Sequence, residues 1–146
     1  LFQMRDPERG YEQVVNQNAF IERLMPAWTA RDLTAEEWSV YRAPFRDVAS
    51  RKPIHVLRQE RGQPHTNEIV AAYGRWLSEA PVPKLLIGFT PGRLLPDRNV
   101  QLARATMPNL TVVDGGFGMH YVQEDQPETI GHAIAEWMDD NGLSRE

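Results

Sequence analysis

Two short apolar runs limit what this chain can become more than any other feature. "KLLIGFT" (84–90), closed by Pro91-Gly92, and "LTVVD" (110–114) are rich in aliphatic residues and show no polar–apolar alternation. Runs of this kind are strands buried on both faces, as in parallel sheets. Between them, Val100, Ala103 and Met107 recur at helical spacing over 97–107. After them comes a last helix with Ile130, Ile134, Trp137 and Met138 as its inner stripe, ended by Asn141-Gly142. Asp125 is expected to cap that helix, with Pro127 in its first turn and Glu128 three residues on. Residues 81–146 thus read as strand–helix–strand–helix. Two parallel strands do not make a sheet that stands alone, because both faces need covering. The chain reads as the end of a larger α/β protein.

The first part, 1–80, is helix and loop. Residues 9–28 read as two short helices with Val14, Val15, Phe20, Ile21, Leu24 and Met25 as apolar positions, ended or bent at Pro26. Thr34 and Glu37 form a capping-box pattern that starts a helix over 35–41. Residues 44–66, rich in Pro, Arg, Gln and Gly, read as irregular. A helix over 66–79 carries the stripe Ile69, Tyr73, Trp76 and Leu77. These positions are too few to close a core of their own. The expected division is a helical domain at 1–80 and a part of an α/β core at 81–146. The opening "LFQMRDPERG" has no signal pattern and reads like a helix entered in its middle, so the natural start is expected upstream of Leu1.

Composition narrows the function. A net charge of −4 with no basic cluster argues against nucleic acid. No apolar run is long enough to span a bilayer, so no membrane role is expected. The absence of cysteine excludes disulfides and thiolate chemistry and fits a reducing compartment, so a cytoplasmic location is expected. His55, His65, His120 and His132 show no pair at metal-ligand spacing, and no metal or cofactor is expected. "GFGMHY" ends in Tyr121 where a dinucleotide fingerprint needs glycine, and there is no G-x-S-x-G elbow.

One histidine stands apart. His120 follows Gly115, Gly116 and Gly118, just beyond the second strand. In open α/β sheets, functional groups gather outside the carboxyl ends of the strands. Glycines there allow a turn of unusual φ and a close approach of the backbone to its neighbours. His120 is therefore a candidate catalytic base, weighed against a loop histidine with no task. Phe2, Phe20, Trp28, Trp38 and Tyr41 could line an apolar pocket or could simply be core.

The stretches "NQNAFIERLMP" (16–26), "LTAEEWSVYRAPF" (33–45), "SEAPVPKLLIGFTPGRLLP" (78–96) and "GFGMHYVQEDQPETIGHAIAEWM" (116–138) occur in this order. Together they resemble the cap domain and C-terminal part of haloalkane dehalogenases, in the α/β-hydrolase superfamily, over nearly the whole chain. "HYVQEDQPETIG" and "VPKLL…TPG" are the most distinctive pieces.

The resemblance implies an α/β-hydrolase fold, here its helical cap followed by the last two strand–helix units. It implies cleavage of a carbon–halogen bond in a small halogenated alkane, through an alkyl–enzyme ester that water hydrolyses to an alcohol, with halide as the other product. His120 matches the base that activates the water. Phe2, Phe20, Leu24, Ala27, Trp28, Leu94 and Tyr121 match positions lining the pocket or its tunnel. Arg93 stands where relatives usually carry an apolar residue. In the family the nucleophilic aspartate and the halide-holding residues precede the cap. No carboxylate follows the first strand before Asp97, which matches the branch whose charge-stabilising acid, a glutamate, also lies upstream. The missing core is thus expected on a second chain or an upstream segment, and these 146 residues alone are expected to be inactive. Two rival readings remain: a luciferase-like monooxygenase of the same fold, and a non-catalytic fragment.

Overall fold

The computed structural model describes residue 4 and residues 6–144. The chain divides into two compact units, one of Leu1–Ala27 with Asp32–Ala72, the other of Trp28–Arg31 with Tyr73–Glu146.

The first unit is helical. Helix α1 (Pro7–Tyr11) starts at Asp6, whose carboxylate accepts from the N–H groups of Glu8 and Arg9, and runs into a wider π turn over Glu12–Asn16. Asn18, at a φ of 52°, breaks the chain before a second π turn (Phe20–Leu24) and the short α2 (Met25–Ala27). Two short helices are thus present, and the π turns seat the adjacent pair Val14 and Val15 in the core. Arg51 ties this region together, donating to the carbonyls of Phe45, Val15, Asn16 and Arg46. Helix α3 (Ala35–Arg42) opens with the full capping box between Thr34 and Glu37.

Residues 44–66 are not irregular, contrary to expectation. Two 3₁₀ turns lead into α4 (Lys52–Glu60), and α5 (Pro64–Glu79) begins two residues earlier than the expected start at 66. Pro53 and Pro64 sit in first turns, where a missing N–H costs nothing. Helix α4 docks through Ile54, which packs on Met4, Val14 and Ala19, and through the buried His55, edge-on to Tyr11 at 5.5 Å. The stripe of α5 is present but uncovered: Ile69 is 44%, Tyr73 63% and Trp76 53% exposed.

The second unit holds a two-stranded parallel sheet, β1 (Lys84–Pro91) beside β2 (Leu110–Gly118), joined by α6 (Asp97–Thr106). The pairing runs from Lys84↔Leu110 to Gly88↔Asp114 and resumes at Thr90↔Phe117. One residue of β1, Phe89, therefore faces two of β2, a bulge at Gly115–Gly116. Gly116 takes a φ of 79°, and its N–H is held by the Asp114 side chain at 2.9 Å. The glycine run is thus the bulged end of a strand rather than a separate turn.

Short α7 (Val122–Asp125) and long α8 (Pro127–Asp140) follow. Asn141 and Gly142, at a φ of 65°, end α8 as expected. Its stripe is only partly covered, with Ile134 40% exposed. Asp125 does not cap α8: the residue at that position is Gln126, which makes no side-chain cap, because both Asp125 oxygens are taken by distant N–H groups.

Gly115 is required for packing. A Cβ there would lie 2.3 Å from the Phe89 ring, far inside contact distance. Gly115→Ala is expected to destabilise the complete protein by about 1–3 kcal/mol, the usual cost of overpacking. Gly131→Ala serves as the control: its added methyl meets nothing within 4 Å on α8, and helix propensity favours alanine by roughly 0.8–1 kcal/mol. Equal melting of the two variants would show that the Phe89 ring moves aside freely.

Candidate functional site

His120 lies in the second unit, two residues past β2 and two before α7. Its backbone is fixed from both sides. The N–H groups of His120 and Tyr121 both donate to the Trp28 carbonyl, at 3.0 and 3.2 Å. The Asp125 carboxylate accepts from Met119 N–H at 2.8 Å through one oxygen and from Ala30 N–H at 2.7 Å through the other. Beside it, Arg31 donates through Nε to the Glu124 carbonyl at 2.6 Å and pairs with the Glu124 carboxylate at 2.8 Å. Residues 28–31 are thereby laced to residues 119–125.

The imidazole stands between two aromatic rings. Trp28 meets it edge-on, with centroids 5.1 Å apart and planes at 88°, and Tyr121 lies at 5.0 Å and 66°. Burial removes water from the ring and lowers its pKa from the ordinary value, so the neutral base is favoured. A cavity of about 150 Å³ opens on His120, lined mainly by Phe89, Leu94, Leu95, Met119 and Val122. A small apolar chamber with one partly buried imidazole on its wall can hold an alkyl group and take a proton from water. A larger trough of about 500 Å³ along β1 and α8 is lined by Leu85, Ile87, Ile130, Ile134 and Trp137 among others, and none of its lining residues is titratable. It is an uncovered apolar face.

The structure brings four of the expected site residues together: His120, Trp28 and Tyr121 by ring contact, and Leu94 on the cavity wall. Phe20, Leu24 and Ala27 belong to the other unit. There Leu24 is buried, Phe20 lies under the Arg58 guanidinium at 5.7 Å, and Ala27 is exposed. Phe2 lies outside the described residues. Arg93 is exposed. The residues that hold the imidazole's loop, Asp125, Arg31 and Glu124, were not among the expected site residues. Two of their bonds join a side chain to a backbone group more than ninety positions away, which leaves no pattern in the sequence. Among the described residues no group of three or more His, Asp or Glu side chains could hold a metal ion, and no helix is long and apolar enough to cross a membrane.

No protein-family model matches the chain. It is 37% identical over 139 residues to a haloalkane dehalogenase of Mesorhizobium japonicum, covering 92% of this chain and 45% of the relative. It is 38% identical over 140 residues to a haloalkane dehalogenase of Sphingobium indicum, with 92% and 47% covered. Among solved structures it superimposes on haloalkane dehalogenase DbeA from Bradyrhizobium elkani with a TM-score of 0.91 at 34% identity, covering 98% of this chain and 51% of that one. Haloalkane dehalogenase DatA from Agrobacterium tumefaciens gives 0.87 at 32% identity, with 95% and 49% covered. The expected resemblance is thereby found along nearly the whole chain, and the fold matches a portion of the α/β-hydrolase fold, as expected. The chain spans about half the length of the relatives it matches.

Proposed function

We propose, from this likeness, that the chain supplies the water-activating part of a haloalkane dehalogenase, with His120 as the base. The observation that carries the reading is the partly buried imidazole of His120, edge-on to Trp28, facing a small apolar cavity. In the proposed reaction a carboxylate on polypeptide outside these residues attacks the carbon bearing the halogen. A carbon–oxygen bond forms, and halide leaves with its electron pair. His120 then takes a proton from water while the resulting hydroxide attacks the ester carbonyl. The acyl–oxygen bond breaks, the alkoxide is protonated to the alcohol, and the carboxylate is regenerated.

Trp28, Leu94 and Tyr121 are proposed to shape the alkyl site, together with Phe2, Phe20, Leu24 and Ala27. The relatives named above are all haloalkane dehalogenases, which favours hydrolysis over the monooxygenase reading. The cysteine-free composition supports a reducing compartment such as the cytoplasm as its place of work.

The test is halide release by the complete protein from a small bromoalkane, followed across pH. The base must be neutral to accept a proton, so turnover is expected to fall as pH drops through the His120 pKa. Burial sets that midpoint below the ordinary histidine value of about 6.5. The first step needs only an ionised carboxylate, whose ordinary pKa is near 4. Below the His120 midpoint, while the carboxylate is still ionised, the enzyme should therefore release one equivalent of halide and then stall. No halide at any pH would overturn the dehalogenase reading, and a burst lost together with turnover would remove His120 from the second step.

A further inference from the structure

We propose that Asp125 is a positioning residue for His120, a role that rests on reading His120 as the water-activating base. One carboxylate closes a ring of hydrogen bonds around the imidazole's backbone. Its Oδ2 holds the N–H of Met119, the residue before His120, and its Oδ1 holds the N–H of Ala30. Two residues before Ala30, the Trp28 carbonyl receives the N–H groups of His120 and Tyr121. The ring runs from Asp125 to Ala30, back along the chain to Trp28, across to His120 and Met119, and home to Asp125. The same ring sets the indole of Trp28 against the imidazole at 5.1 Å. Asp125 therefore fixes both the height of the base and the aromatic wall beside it.

The chemistry calls for a carboxylate. Both partners are N–H donors and both oxygens accept, so an amide can satisfy only one of them and turns its own NH₂ toward the other. Charge-assisted bonds of this kind are also the stronger ones. Asp125 neither caps α8 nor touches the cavity wall, so helix stability and substrate contact do not account for it.

The experiment compares the complete protein with Asp125→Asn and Asp125→Glu, timing the halide burst and the hydrolysis of the trapped ester separately. Misplacing a catalytic group by about 1 Å costs up to a hundredfold. Ester hydrolysis is expected to slow about ten- to a hundredfold in D125N and less in D125E, which keeps two acceptors on a longer arm. The halide burst should slow clearly less than hydrolysis, because it needs no proton transfer and feels only the shift of the Trp28 wall. Unchanged hydrolysis, or equal slowing of both steps, overturns the proposal. If D125N does not fold, D125E decides by the same criterion. H120N is run alongside. Normal hydrolysis in H120N would sink the reading of the base itself. A trapped ester in H120N with normal hydrolysis in the Asp125 variants sinks only the positioning role.

Discussion

Replacing His120 with asparagine in the complete protein is expected to give one equivalent of halide per molecule and then no further turnover. Asparagine is smaller and gives up the ring contacts with Trp28 and Tyr121, but the backbone bonds to the Trp28 carbonyl that hold the loop are untouched. It cannot accept a proton from water. General-base assistance is worth about a hundred- to ten-thousandfold, so ester hydrolysis should fall by that factor while carbon–halogen cleavage continues. Intact mass spectrometry after exposure to a bromoalkane should find the protein heavier by one alkyl group. Unmodified protein turning over at the parent rate would mean that another group activates the water.

The second large effect is on stability. Lys84, at the start of β1, is buried, and its ammonium donates to the carbonyls of Ala80, Val82 and Pro108 at 2.7, 3.0 and 2.9 Å. Three donors meet three acceptors, so every N–H of the ammonium is paired. The same knot includes Lys84 N–H on the Asn109 carbonyl and the Asn109 amide on the Pro81 carbonyl. Lys84→Met keeps the stem and removes the ammonium, leaving three carbonyls without their donor. Hydrogen bonds to charged groups contribute about 1.5–3 kcal/mol each, and water recovers part of the loss. A net cost of about 2–4 kcal/mol is expected, read as a lower urea midpoint for the complete protein. An unchanged midpoint would show that water replaces the ammonium without loss.

Local signals in the sequence were read well where local chemistry decides. The Thr34–Glu37 box and the Asn141-Gly142 stop depend on residues within a turn of one another, and both are present. The two parallel strands were recognised because a doubly buried strand needs an unbroken apolar run. Helix α4 was missed because His, Arg, Gln and Pro dilute its stripe, and its docking rests on Ile54 and His55. Asp125 was misread for the opposite reason: with Pro127 and Glu128 after it, it looks like a cap. The N–H groups of Ala30 and Met119 took the carboxylate instead. His120 was legible as an imidazole beyond a strand. The Trp28 carbonyl that holds it was not, since every residue has a carbonyl.

That tie also has a kinetic side. The Ala30–Asp125 bond joins residues 95 positions apart. Closing a flexible loop of that length costs roughly 4 kcal/mol of chain entropy beyond a constant term. Contacts of such sequence separation are slow to find one another. The α-helices and the β1–α6–β2 crossover close over far shorter spans. On the route from the unfolded chain, the seat of His120 is therefore expected to assemble after the scaffold around it. A ribosome must also have released residue 125 before the N–H of Ala30 finds its partner, so the loop that seats His120 is expected to form late in this segment.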